Sequence, residues 1–146
     1  MILVVDASVV IKWFVEEPLR PQARALLADR HEFIAPDLMI PEVANIAWKK
    51  ATRGEIQIDQ ARSIIRSIVL PPFMSTFVES AALRERAFAL ALQWKHPVYD
   101  CFYAACAEAV TAPLISADEK FLRLVNARGS SIRGVSLARL GELADK

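Results

Sequence analysis

The chain begins with an apolar run that stops abruptly at a carboxylate. Ile2–Val5 holds four apolar residues in a row, three of them β-branched, and Asp6, Ala7 and Ser8 follow directly. A strand that is apolar on both faces is typical of the middle of a parallel sheet covered by helices. Because open α/β sheets bind ligands beyond the carboxyl ends of their strands, the run predicts Asp6 at a ligand-binding edge. Aspartate is also a favoured helix N-cap, so Asp6 could serve only to begin the next helix.

The apolar periodicity along the rest of the chain predicts alternating strands and helices. Short strands are expected at residues 32–35, 114–115 and 132–135, among helices at 8–15, 18–29, 37–53, 59–67, 77–95, 98–110, 118–125 and 137–144. Strands separated by helices pair in parallel through crossover connections. The pattern therefore predicts an α/β fold, a three-layer α/β/α sandwich with a central, mainly parallel sheet of four to five strands. Its 146 residues suit a single domain, residues 1–146.

Composition and charge narrow the class of protein. Hydrophobic residues make up 54% of the chain, yet no apolar run is long enough to span a membrane and no basic segment precedes the first one. A soluble, cytoplasmic protein is expected, and the apolar surplus indicates a protein partner rather than a membrane. The net charge of +1 gives no general attraction to nucleic acid, so any such binding must come from a local patch. Cys101 and Cys106 are expected to be free and buried.

Four carboxylates occupy junctions between the expected elements. Asp6 follows the first strand, Glu42 and Asp100 fall in the first turns of two helices, and Asp118 comes just after a late strand. Like charges in one crevice repel each other and lose hydration, so such a cluster is stable chiefly when a cation neutralises it. Oxygen ligands without His or Cys favour Mg²⁺ or Mn²⁺. Each acid also has a purely structural explanation, because acids in a first turn interact favourably with the helix dipole.

Four segments around these acids resemble the signature segments of PIN-domain ribonucleases, specifically the small VapC-type toxins of prokaryotic toxin-antitoxin pairs. In chain order they are residues 4–8 (VVDAS), 41–45 (PEVAN), 99–105 (YDCFYAA) and 115–121 (ISADEKF). The resemblance spans essentially the whole chain. It implies a PIN-like fold in which Asp6, Glu42, Asp100 and Asp118 form a catalytic acidic quartet that holds divalent metal.

The same resemblance assigns supporting positions to three polar residues. Ser8 and Asn45 match polar positions that support the site, and Ser116 matches the Thr or Ser two places before the last acid. Ser8 and Ser116 could instead cap helices, and Asn45 could be a surface amide. The expected cofactor is Mg²⁺, with Mn²⁺ able to substitute.

Residues and resemblance together predict a metal-dependent endoribonuclease, the toxin of a toxin-antitoxin pair, that blocks translation by cleaving tRNA or rRNA. Metal-activated water would attack the phosphodiester bond and leave a 5′-phosphate and a 3′-hydroxyl. Two alternatives on the same fold stay open: RNA processing outside a toxin system, and a non-catalytic binding protein. A phosphoryl-transfer enzyme with an aspartyl nucleophile usually has a second acid beside the first, whereas Ala7 follows Asp6.

Protein partners are expected at the first and third helices. The resemblance implies a cognate VapB-like antitoxin and a homodimer there, with an antitoxin arginine inserted among the carboxylates as one means of inhibition. The apolar residues of these helices are Trp13, Phe14, Leu38, Ile40 and Trp48. Core packing is expected for most of them, and an exposed aromatic would anchor a partner.

Basic and histidine residues give weaker signals. His31 and His96 have no partner at a useful spacing and are expected on the surface or in the core rather than in catalysis. Phosphate contacts are expected from a few basic residues, although most such side chains are solvated helix faces. The candidates are Lys12, Lys49, Lys50, Arg53, Arg84 and Arg86.

Overall fold

In the computed structural model, which describes residues 1–144, five strands form one parallel sheet. The strands are β1 (Ile2–Val5), β2 (Glu32–Pro36), β3 (Thr76–Val78), β4 (Leu114–Ser116) and β5 (Gly134–Ser136). They lie in the order β3-β2-β1-β4-β5, with parallel pairing between neighbours. The apolar run β1 is thus the central strand, and Leu3, Val4 and Val5 are fully buried, as their sequence predicted.

Helices connect the strands and cover the sheet. They are α1 (Ala7–Val10) with a 3-10 helix (Ile11–Trp13), α2 (Arg20–Ala28), α3 (Met39–Thr52), α4 (Ile58–Ser67), α5 (Ser80–Trp94), α6 (Val98–Val110), α7 (Glu119–Val125) and a closing 3-10 helix (Leu137–Leu143). Helix α6 packs against β1, β2 and β4, and α5 packs along α6, whereas α3 packs against α1 and α4. This arrangement confirms the predicted α/β/α sandwich. None of these helices within residues 1–144 is long and apolar enough to cross a membrane.

The core contains both small and large side chains. On α6 the side chains of Ala104, Ala105 and both cysteines are buried, and the cysteines are free, as expected. Small side chains let this helix lie close to the sheet. Among the large side chains, Trp13 is 1% exposed, and its ring centroid lies 4.9 Å from that of Phe33.

One strand was missed by the sequence pattern. Residues 77–95 were expected to form one continuous helix, whereas β3 pairs there with β2 and α5 begins only at Ser80. The reason lies 43 positions earlier, at Asp37, just after β2. The Asp37 carboxylate accepts hydrogen bonds from the Ser80 backbone N–H at 3.0 Å and from its hydroxyl at 2.6 Å. This long-range pairing sets the start of α5.

The end of the chain also differs in detail from the prediction. The last strand was expected at residues 132–135 and lies at Gly134–Ser136, with Gly134 beside Leu114. A Cβ added at Gly134 would stand 2.7 Å from Leu122 Cδ2, so a larger residue here would force the Leu122 side chain of α7 to shift. The closing segment is a 3-10 helix rather than a regular α-helix.

Candidate active site

Three of the four predicted acids lie at the carboxyl edge of the sheet, near enough for their charges to interact. Asp6 directly follows β1, Glu42 lies in the first turn of α3, and Asp100 lies in the first turn of α6. Their charges interact: Asp100 contributes to a raised pKa at Asp6, and both contribute to a raised pKa at Glu42. Three separate elements thus bring carboxylates into one acidic group.

Asp6 is held in place by the start of α1. Its Oδ1 accepts hydrogen bonds from the backbone N–H of Ser8 and Val9, at 3.1 and 3.3 Å, and from the Ser8 hydroxyl at 2.5 Å. Burial raises the pKa of Asp6 to about 6, hydrogen bonds from Ser116 and Ser8 oppose the rise, and repulsion from Asp100 adds to it. Asp6 is therefore both a helix cap and a buried acid at the predicted edge.

Glu42 is anchored by a tyrosine on α6. The Tyr103 hydroxyl donates a hydrogen bond to Glu42 Oε1 at 2.7 Å across a separation of 61 residues, and the tyrosine is almost fully buried. Burial raises the pKa of Glu42, the hydrogen bond from Tyr103 lowers it, and repulsion from Asp100 and Asp6 raises it further. Burial and the Glu42 charge raise the pKa of Tyr103 far above its ordinary value, so the hydroxyl stays a donor. Sequence reasoning missed this bond.

Replacing Tyr103 by phenylalanine is expected to release Glu42 without emptying the core. The ring remains, but the half-buried carboxylate loses its donor, so we expect the pKa of Glu42 to rise further and the free energy of unfolding to fall by about 0.5–1.5 kcal/mol. NMR titration of the Glu42 carboxyl and urea unfolding measure the two effects. Tyr99→Phe is the matched control because the Tyr99 side chain is exposed. An unchanged Glu42 pKa in Tyr103→Phe would contradict this anchoring role.

Asp100 bonds to a histidine that was expected to have no partner. His96 Nε2 lies 2.7 Å from Asp100 Oδ2, and the imidazole stacks on Phe121 with ring centroids 5.1 Å apart. The expectation that His96 has no partner was wrong, and the signal of the contact was the four-residue spacing that places side chains one helical turn apart. Pro97 obscured the signal, because it is the N-cap of α6 and leaves His96 outside the helix.

The carboxylate of Asp118 is engaged elsewhere. It caps α7 by accepting a hydrogen bond from the Phe121 N–H at 3.0 Å, while the Asp118 N–H donates to Ser116 Oγ at 3.0 Å. The neighbouring Ala117 N–H donates to Ser8 Oγ at 3.2 Å, and this bond connects the residue after β4 to the start of α1. Asp118 therefore has the structural role considered for it, that of a residue interacting with the start of a helix. Asn45, the third predicted supporting residue, is exposed on α3 one turn after Glu42.

The acidic group fits a hard divalent cation by its chemistry. Burial is the largest cause of the raised pKa values of Asp6 and Glu42, repulsion from the other carboxylates adds to it, and a cation would relieve this repulsion. Carboxylate oxygens are the ligands that Mg²⁺ and Mn²⁺ prefer. Over residues 1–144, however, no three acidic, histidine or cysteine side chains stand close enough to hold one ion together. Binding would therefore draw the side chains inward, and that of Asp100 is 41% exposed.

Most of the predicted phosphate contacts are occupied by protein groups. Lys49 and Arg53, near the end of α3, make no ion pair within the described part of the chain. The other four are bound: Lys12 and Lys50 to Glu17 at 3.0 and 2.8 Å, Arg86 to Glu108 at 2.6 Å, and Arg84 to the Ala81 carbonyl. Lys49 and Arg53 are thus the candidates best able to reach a phosphate.

The apolar residues considered for partner binding have different environments. Trp13 belongs to the core, and Phe14, Leu38 and Ile40 are partly buried, whereas Trp48 is 60% exposed. Trp48 lines an open groove of about 350 Å³ between α3 and α4, together with Ile58. The exposed tryptophan is the hot-spot candidate among the five.

A parallel sheet with acids gathered at its carboxyl edge defines a class of acid-rich α/β domains, and comparison with known proteins identifies the family. The PIN domain family model matches residues 3–126. Ribonuclease VapC3 from Pyrobaculum aerophilum is 38% identical over 130 residues, which cover 86% of this chain and 98% of that protein. The chain belongs to the PIN-domain family, and its resemblance to the VapC-type ribonucleases is confirmed.

Solved structures share the fold at lower identity. The crystal structure of PAE2754 from Pyrobaculum aerophilum has a TM-score of 0.68 at 21% identity and covers 99% of this chain and 90% of that one. The crystal structure of VapBC2 from Rickettsia felis, bound to a DNA fragment from its promoter, has a TM-score of 0.67 at 15% identity and covers 93% and 98%. Both likenesses confirm the PIN-like architecture.

Proposed function

We propose that the chain is a Mg²⁺-dependent endoribonuclease and the toxin of a toxin-antitoxin pair, which blocks translation by cleaving tRNA or rRNA. The observation that carries the proposal is the meeting of Asp6, Glu42 and Asp100, from three elements, in one electrostatically coupled group. The identity of 38% to a VapC ribonuclease supports hydrolysis of RNA phosphodiester bonds as the reaction.

In this proposal the ion is held by Asp6, Glu42, Asp100 and Asp118. Bound there, Mg²⁺ or Mn²⁺ would supply a water of lowered pKa and would neutralise charge on the scissile phosphate. The turn at the start of α1 orients Asp6, and Tyr103 orients Glu42. Asp118 caps α7 through Oδ1, so its other carboxylate oxygen would be the one to face the ion. Ser8 and Ser116 hold the two loops that carry these acids, Asn45 supports the site from α3, and no side-chain nucleophile is required.

The proposal extends to partners and location. The Rickettsia felis relative is a VapBC2 assembly, so we expect a VapB-like antitoxin to bind this chain, with an arginine that neutralises the same carboxylates. The exposed Trp48 groove supports an apolar contact with such a partner. A homodimer and a cytoplasmic location, where RNA and antitoxin are both available, complete the proposal.

Cleavage is expected to require both the metal and the acids. With purified protein and labelled tRNA and rRNA, chelation by EDTA should stop cleavage, and added Mg²⁺ or Mn²⁺ should restore it with 5′-phosphate ends. Asp100→Asn should lower the rate by more than about 100-fold because a metal ligand loses its charge. Asp118→Asn should also lower it while keeping the α7 cap, since asparagine caps helices well. Asp59→Asn is the matched control, because Asp59 is an exposed first-turn acid of α4.

The alternatives give different results in this cleavage assay and in cells in which the chain is induced with and without its antitoxin. RNA that stays intact with the wild-type protein and both metals would contradict the nuclease and favour a non-catalytic binding protein. Cleavage without growth arrest on induction, with no antitoxin effect, would favour RNA processing outside a toxin system. Equal rates for wild-type and Asp100→Asn protein would contradict the assigned site.

A further inference from the structure

We propose that His96 is a positioning residue for Asp100, an inference that rests on the proposed nuclease function. His96 lies in the short connection between α5 and α6, outside the four segments that identified the family. Its imidazole contacts Asp100, a member of the electrostatically coupled group whose side chain is 41% exposed. We assign it the task of holding that carboxylate in the orientation that an ion requires.

The backbone places His96 firmly. The His96 N–H donates to the Ala91 carbonyl at the end of α5 at 3.2 Å, after Lys95 has ended that helix in the left-handed conformation with φ of 52°. Pro97 follows as the N-cap of α6 and restricts the chain on the other side. The imidazole therefore projects from a connection that is fixed at both ends.

The ring is held as firmly as the backbone. It stacks on Phe121 at an interplanar angle of 23°, and the His96 side chain is only 13% exposed. Phe121 is itself completely buried, and its backbone N–H donates to the Asp118 carboxylate. Phe121 thus supports the histidine beside Asp100 with its ring and holds the Asp118 carboxylate with its N–H. The two predicted ligands are both in contact with this part of α7, one of them through His96.

The contact leaves one carboxylate oxygen available. Because an ionised carboxylate only accepts hydrogen bonds, Nε2 of His96 must carry the proton and donate to Oδ2 of Asp100 at 2.7 Å. Oδ1 then remains for an ion. Without a donor, an exposed first-turn aspartate rotates freely, and orienting it costs part of the binding free energy. Groups that orient metal ligands in this way typically contribute 10–100-fold to metal affinity or activity.

Two substitutions separate the hydrogen bond from the packing. His96→Phe keeps an aromatic ring on Phe121 and removes the donor, whereas His96→Gln gives up the ring and keeps an N–H at a similar reach. With Mn²⁺ titrated by calorimetry, we expect His96→Phe to weaken binding by about 10–100-fold and His96→Gln to recover most of that loss. RNA cleavage should follow the same order. The unfolding midpoint of His96→Phe should stay near that of the wild type.

Controls tie the effect to Asp100. His31→Phe changes the other histidine, which precedes β2 at the opposite edge of the sheet, and should alter neither Mn²⁺ affinity nor cleavage. In an Asp100→Ala background, His96→Phe should cost no further affinity, since the group that it orients is absent.

The outcomes are distinct. Wild-type Mn²⁺ affinity in His96→Phe overturns the inference, and a loss confined to His96→Gln would assign the effect to packing on Phe121. Equal losses in the two variants also overturn it, because an N–H donor in His96→Gln would then restore nothing. A wild-type protein that binds Mn²⁺ but leaves RNA intact contradicts the nuclease proposal, while the Mn²⁺ comparison still decides the role of His96. A wild-type protein that binds no Mn²⁺ overturns both.

Discussion

Asp6→Asn is expected to abolish RNA cleavage and, without metal, to make the protein more stable above neutral pH. Burial raises the pKa of Asp6 from 3.8 to about 6, so the folded state binds this proton more tightly than the unfolded chain. Stability is therefore lost as the pH rises from about 4 to about 6, and the loss persists above that range. At 1.36 kcal/mol for each pKa unit it amounts to about 3 kcal/mol.

Asparagine removes the buried charge and keeps the oxygen that caps α1. We expect Asp6→Asn to be more stable than the wild type by about 1–3 kcal/mol near pH 8 in EDTA, with the difference vanishing below about pH 4. Urea unfolding across this range measures it, with Asp59→Asn at an exposed position of α4 as the control variant. Mg²⁺ should stabilise the wild type and not Asp6→Asn. Cleavage by Asp6→Asn at the wild-type rate, or lower stability near pH 8, would contradict the role of Asp6 as a buried metal ligand.

Trp13→Ala is expected to destabilise the protein by about 3–5 kcal/mol, as truncation of a large core side chain typically does. Trp13 is almost fully buried between Phe33 and Phe73, and its indole N–H donates to the Ala23 carbonyl at 2.9 Å. Because domains of this size have about 5–15 kcal/mol of stability, much of the variant should unfold on moderate heating. Thermal and urea unfolding measure the loss.

Trp48→Ala is the matched control for this prediction. Its side chain is 60% exposed, so we expect the free energy of unfolding to change by less than about 0.5 kcal/mol. Equal destabilisation by the two substitutions would contradict the assignment of Trp13 to the core and Trp48 to the surface. If Trp48 is a partner hot spot, its substitution should instead weaken antitoxin binding by about 2 kcal/mol or more.

The sequence by itself determined the central strand, the α/β alternation and the positions of the acids at element ends. Each of these depends on a local pattern. The apolar run Ile2–Val5 can be buried on both faces only inside a sheet, and the placement of Glu42 and Asp100 in first turns follows from helix boundaries a few residues away. The four family segments added the order of the acids along the chain.

The tertiary structure alone decided the contacts between distant residues. Strand β3 forms because it pairs with β2, the start of α5 is set by Asp37, and Glu42 is oriented by Tyr103. The packing of the helices on the sheet also decided which residues are buried. It buried Trp13 and Asp6, whose pKa rises as a result, and it left Trp48 exposed. Hydrophobic periodicity describes which face of a segment is buried, but not which group from elsewhere in the chain lies opposite. Hydrogen bonds and charge interactions depend on which group lies opposite, so their geometry is set only when the helices pack on the sheet.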